Sequence, residues 1–162
     1  MNFREFSMKK MHKLTMFLVC TLLATAAIGC GDPVNSRISE ITKHNAKKVA
    51  IMYKVFSDGH KFLGPKDENE FKSWIQSDDK IKERLAKFGV DVNKFDSYML
   101  DRSGEKLEIR WSVQSAPMAP PYPVALETTA VDGIRQVGMA GGPMREVDND
   151  EEFEKLRNGE TE

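Results

Sequence analysis

The 162-residue sequence predicts an α+β domain: a long N-terminal helix and short helices packed on a four- to five-stranded antiparallel sheet, with a short helix at the C-terminus. Three observations predict it. Apolar residues from Ile38 to Phe88 recur at steps of three and four behind helix-capping residues. From Lys106 to Val113 polar and apolar residues alternate strictly. Asp132-Gly133 lies between two apolar runs, which is the strongest short hairpin signal.

Taken in order, Asp32-Pro33 offers a cap and a first-turn proline, with Asn35-Ser36 as a second start. Ile38, Ile41, Asn45, Val49, Met52 and Phe56 then share one face of a helix of about five to six turns. Val49 to Phe56 is apolar on nearly all sides apart from Lys54, so other elements should wrap it. Ser57-Asp58-Gly59 is the expected stop, with Gly59 in the left-handed position. Asp67-Glu68-Asn69-Glu70 carries a cap acceptor and a glutamate three residues on, opening a short helix that turns Phe71, Trp74 and Ile75 inward. Another starts near Ser77 or Asp78, buries Ile81, Leu85 and Phe88, and stops at Gly89; Asp91 to Phe95 adds a turn.

The period then changes. Leu107, Ile109, Trp111 and Val113 alternate with Lys106, Glu108, Arg110 and Ser112, as in a strand with one face on a core. Tyr98 to Leu100 and the turn Asp101-Arg102-Ser103-Gly104 supply the other arm of that hairpin. Gln114 to Pro123, with four prolines, is a loop. Val124 to Val131 and Ile134 to Ala140 flank Asp132-Gly133, and Gly141-Gly142 reverses the chain into Met144 to Val147. Asp148 with Glu151, or Asn149 with Glu152, caps a last helix that buries Phe153 and Leu156 before Gly159.

The start of the chain carries a different message. Arg4, Lys9, Lys10 and Lys13 precede an uncharged run from Leu14 to Ile28, in the order of a secretory signal peptide. The run is short for a spanning helix, which needs roughly 20 apolar residues, and Gly31-Asp32-Pro33 follows at once. Ala27-Ile28-Gly29-Cys30 resembles the lipobox of bacterial lipoproteins, in which the Cys receives a diacylglyceryl thioether and becomes the mature N-terminus. The resemblance implies a signal peptide over 1–29, lipidation of Cys30 and a lipidated tether over 30–35; length and patterning place a single domain over 36–158 and a frayed tail over 159–162. Two or three acyl chains would anchor the protein, each buried methylene contributing about 0.8 kcal/mol. Gly31 after the Cys resembles the outer-membrane sorting pattern of enteric bacteria.

Cysteine usage agrees. Cys20 leaves with the signal and Cys30 is the one other Cys, so the mature protein has no thiol free for a disulfide, a zinc site or a nucleophile. Removing 29 residues leaves 133, with 20 basic against 24 acidic side chains and a net charge of −4, which argues against a general nucleic-acid binder. Eight of the acids lie between Glu146 and Glu162.

Candidates for chemistry are few. His44 sits beside Lys43, Lys47 and Lys48 on what reads as a solvated basic face, and His60 reads as a turn residue; neither belongs to a metal-binding pattern. Ser103 lies in a β-turn and in no Gly-x-Ser-x-Gly elbow. Asp148, Asp150, Glu151 and Glu152 offer carboxylates to calcium but lack EF-hand spacing, and an N-capped acidic helix accounts for them. Gly138, Gly141 and Gly142 fit hairpin geometry, and Pro117, Pro120, Pro121 and Pro123, with Met118 and Tyr122, form a tethering loop. No catalytic residue, cofactor or metal ligand is expected, and Cys30 is the one site residue.

A long helix, a Gly-Pro punctuated connection and an antiparallel sheet look like the periplasmic head of type II secretion pseudopilins. Cys30-Gly31-Asp32-Pro33-Val34-Asn35-Ser36, Gly64-Pro65-Lys66-Asp67, Arg135-Gln136-Val137 and Arg145-Glu146-Val147 also resemble a group of small bacterial lipoproteins without an assigned activity. The expectation is a non-enzymatic, membrane-anchored envelope lipoprotein, a binding or structural module with a possible envelope protein partner. An accessory subunit of an envelope secretion machine and a small periplasmic hydrolase are the alternatives.

Overall fold

A computed structural model describes residues 43–161, which belong to a compact unit, Arg37–Glu162. The signal segment, Cys20, Cys30 and the two expected helix starts near Asp32 and Asn35 lie outside the described residues. The fold is α+β. Helices α1 (Asn45–Gly59), α2 (Glu68–Ser77) and α3 (Asp79–Ala86) lead, through a 3-10 turn over Val92–Lys94, to a single turn α4 (Phe95–Tyr98). Strands β1 (Glu108–Ile109), β2 (Tyr122–Leu126), β3 (Arg135–Ala140) and β4 (Arg145–Val147) form one antiparallel sheet in the order β1-β2-β3-β4, and α5 (Asp150–Asn158) closes the chain.

α1 is the central element. It begins at Asn45, after a turn at Lys43; the residues before Lys43 expected to open a longer helix lie outside the described residues. His44 gives no side-chain cap; the Asn45 amide instead donates to Ser97 O at 3.0 Å and Leu100 O at 2.9 Å, pinning the helix start to the end of α4. Ala46, Val49, Ala50, Met52, Tyr53, Val55 and Phe56 are buried, as expected for a helix wrapped by others. The C-terminus differs from expectation. Gly59 stays within the helix, with the Trp74 ring lying against it, where a Cβ would sit 3.1 Å from Cζ2. The left-handed conformation falls instead on Lys61 (φ 54°) and Phe62 (φ 67°).

Asp67 caps α2 by accepting from Glu70 N at 2.8 Å, while the Glu70 carboxylate takes Lys66 N–H at 2.7 Å. Phe71 and Ile75 are buried and Trp74 half-buried, edge-on to Phe56. Asp78 caps α3, and Leu85 is buried. Phe88 departs from the pattern. The helix ends at Ala86, Gly89 takes φ 71°, and Val90 N–H returns to Leu85 O at 3.1 Å; this reversal buries Val90 and leaves Phe88 45% exposed.

Tyr98 ends α4 rather than opening a strand, so the first hairpin shrinks to a bridge between Leu100 and Lys106. Leu107 and Ile109 are buried in alternation as expected, but β1 stops at Ile109. The reason is Tyr53. Its hydroxyl donates to Arg110 O at 2.8 Å and accepts from Val113 N–H at 3.1 Å, occupying groups a longer ladder would need, and Ser112 turns to φ 56°.

β2 includes Pro123, expected in the loop. A register shift between Pro123 and Ala125 sits where proline has no N–H to give. Asp132 and Gly133 have φ 54° and 78°, both positive as the expected turn requires, and Val131 and Ile134 exchange hydrogen bonds across it. All of β3 from Gln136 to Ala140 is buried. α1 lies across β2 and β3, and Gly138 permits it: a Cβ there would sit 2.1 Å from Ala46 O. Leu126, Val137, Met139 and Val147 form a second cluster with Phe153 and Leu156 of α5. Asn149 caps α5 by accepting from Glu152 N at 2.8 Å, and Gly159 (φ 89°) ends it. Both buried clusters lie among the described residues of the unit Arg37–Glu162.

Candidate functional site

A groove runs along one face of α1, where Lys47, Ile51, Lys54 and Asp58 are partly exposed beside the buried Ala50 and Val55. Lys47, Ala50, Ile51, Lys54, Val55 and Asp58 recur at steps of three and four, so they line one stripe of the helix. Arg84 and Phe88 from the end of α3 form one wall, and Met139, Gly141 and Gly142 at the β3–β4 turn form the other. The groove between them holds about 420 Å³, within the range of small-molecule sites.

Its floor is apolar and its rim is cationic. Lys54 pairs with Asp58, and Arg84 Nη2 reaches the other oxygen of the same carboxylate at 3.4 Å. Lys47 donates to Gly142 O and, among the described residues, has no carboxylate within ion-pair distance. It is half-buried, and burial holds its pKa below the ordinary lysine value. Three cations thus face one carboxylate. Gly142 itself packs closely on Pro121, where a Cβ would sit 2.4 Å from Pro121 Cβ.

The residues weighed from the sequence fall elsewhere. His44 stands at the start of α1, where its carbonyl accepts from Lys48 N. Of its lysine neighbours Lys43 is exposed as expected, whereas Lys48 Nζ lies 4.5 Å from the Tyr98 ring centroid, and burial lowers its pKa as it does that of Lys47. His60 stacks on Phe56 at 3.9 Å and meets Trp74 edge-on at 5.1 Å. Its Nδ1 is 2.8 Å from Phe56 O, so it carries the proton there, and the ring closes the end of α1. Ser103 Oγ donates to Asp101 Oδ1 at 2.6 Å within its own turn.

The acids of the last helix disperse. Asp150 pairs with Arg135, Glu151 with Lys155, and Glu152 lies 3.8 Å from Arg145. Among the described residues no group of three or more His, Cys, Asp or Glu side chains is placed to hold a metal ion. A cavity of about 290 Å³ beside α5 is lined by Arg145, Lys155, Glu152 and Glu160, two charges of each sign, so it lacks the groove's imbalance. In the proline loop, Ala119 N–H closes a turn on Ala116 O with Met118 at φ 59° and wholly exposed.

Two features escaped the sequence reading. The groove needs three segments far apart in the chain, although the stripe Lys47, Ile51, Lys54, Asp58 was visible as a helical face. The second is a buried carboxylate. Glu127, 2% exposed, takes a two-pronged contact from Arg102 at 2.7 and 3.0 Å and accepts Gln136 N–H at 2.9 Å. Arg102 also donates to Ile134 O at 2.7 Å, so the pair locks the Asp101 turn to the β2–β3 hairpin. No described helix is long and apolar enough to cross a membrane. No protein family, curated protein or solved structure matches the chain.

Proposed function

We propose that the protein is a membrane-anchored envelope lipoprotein, held by acyl chains on Cys30, whose domain works as a binding module rather than as an enzyme. The observation that carries this reading is the sequence from Arg4 to Cys30: a basic segment, an uncharged run, then Ala27-Ile28-Gly29-Cys30 and an immediate Gly31-Asp32-Pro33. One acyl chain alone binds a bilayer marginally, so the two or three chains of a lipoprotein are what make anchoring stable. The α1 groove supports the binding role, being concave, apolar at its floor and charged at its rim. His60 and Ser103, the nearest to catalytic candidates, are each engaged with local groups, which supports a role without chemistry.

Cells expressing the wild type and Cys30→Ser, fed labelled palmitate, test the anchor. The wild type should carry label and the variant none; undiminished label on the variant refutes it. Gly31 favours the outer membrane, and density-gradient fractionation of the two membranes should place the protein in the denser fraction. A second reading, an accessory subunit of an envelope secretion machine, draws on the packing of α1 across β2 and β3. It predicts co-purification with that machinery in mild detergent, and a clean monomer counts against it.

A further inference from the structure

We propose that the α1 groove binds a long-chain carboxylate, its headgroup against the Lys47 ammonium and its hydrocarbon chain along Ala50, Ile51, Val55, Phe88 and Met139. This names the ligand class of the binding module and rests on that reading of the domain.

The charge balance selects a monoanion. Of the three cations at the groove, Lys54 and Arg84 already share Asp58, whereas Lys47 has no anionic partner among the described residues. An ammonium has three donors, and the bond to Gly142 O uses one, so two are left for the two oxygens of a carboxylate. A half-buried ammonium without an anion is costly, and burial already lowers its pKa; an anion at this point offsets both effects. A dianion would be left half-neutralised unless Asp58 gave up its partners. The floor selects the rest of the ligand. Its apolar side chains come from three elements and leave about 420 Å³ between them, space that a small ion such as phosphate or acetate would not fill. Phe88, 45% exposed because α3 ends before it, is the large apolar side chain such a chain would cover.

The full chain carrying Cys30→Ser is titrated in aqueous buffer with decanoate, 1-decanol, acetate and inorganic phosphate, followed by amide chemical shifts. Decanoate should saturate one site and move the amides of α1 and of Gly141 and Gly142. Decanol should bind at least tenfold more weakly, and acetate and phosphate should show no saturation in the same range. Lys47→Met should weaken decanoate at least tenfold and leave decanol unchanged. Lys47→Arg should bind decanoate within threefold of the wild type, which controls for a methionine variant that folds poorly. Decanol binding as tightly as decanoate, saturation by phosphate, or indifference to Lys47→Met overturns the proposal. So does tighter binding by an acidic amphipathic peptide or by phosphatidylglycerol vesicles. The titrated chain can carry no acyl group on residue 30, so failure here leaves the palmitate result standing, and failure of the label leaves this one.

Discussion

Replacing Tyr53 by Phe removes one oxygen from the middle of the structure. That oxygen is buried and serves two backbone groups on a distant segment, donating to Arg110 O and accepting from Val113 N–H. Phe keeps the ring and its edge contact with Phe71. It leaves Val113 N–H without an acceptor and Arg110 O without this donor. Each net hydrogen bond is worth about 1 kcal/mol and each buried group left unmade costs about 1–3 kcal/mol, so the variant should lose about 2–4 kcal/mol. For a domain of this size that is a fall in Tm of roughly 10 °C. A second signature concerns pH. Burial is the main cause that pushes the Tyr53 phenol from its ordinary value near 10 up to about 12. Below pH 10 both folded and unfolded chains hold the proton, and the stability is fully present. Between pH 10 and 12 the unfolded chain releases it and the folded chain does not, so stability falls as pH rises. Urea unfolding from pH 8 to 12 checks both: the advantage of the wild type over Tyr53→Phe should be full at pH 8 and shrink above pH 10. A variant within about 0.5 kcal/mol of wild type, or a gap that does not change with pH, refutes the reasoning.

Glu127→Gln removes the buried carboxylate that the partly exposed Arg102 guanidinium and Gln136 N–H both donate to, and should cost about 1–3 kcal/mol in urea unfolding. The double variant with Arg102→Met should lose less than the two single losses together, as expected for side chains in direct contact. Gly138→Ala puts a methyl 2.1 Å from Ala46 O and should destabilise by at least about 2 kcal/mol, read from thermal unfolding, because α1 must lift from β3. Asn149→Ala removes the α5 cap and should cost about 1 kcal/mol, with exchange protection lost first at Glu152 N–H.

Short-range chemistry made much of the fold legible. Asp132-Gly133 specified its turn because two positive φ angles in a row are cheap for few other pairs, and the caps at Asp67, Asp78 and Asn149 were readable for the same local reason. What could not be read depended on a distant partner. Gly59 has the signature of a helix stop, yet it stays helical with the Trp74 ring against it, and the left-handed conformation falls on Lys61 and Phe62. Leu107 to Val113 alternates throughout, but the Tyr53 hydroxyl takes two backbone groups and ends β1 early. Gly138 resembled a hairpin glycine, and its role is the close approach of α1. The groove was hidden likewise: Lys47 belongs to a basic run, and only its burial beside Gly142 separates it from a solvated lysine. The lipidation proposed for Cys30 stands apart, since it rests on consecutive residues and on no distant partner.

The intact mass of the protein extracted from membranes, with sequencing of its N-terminal peptide, tests the account most directly. The chain should begin at Cys30 and exceed the mass of residues 30–162 by a diacylglyceryl group, with or without a further acyl chain. An unmodified Cys30, or an N-terminus on either side of it, contradicts the lipid-anchored account.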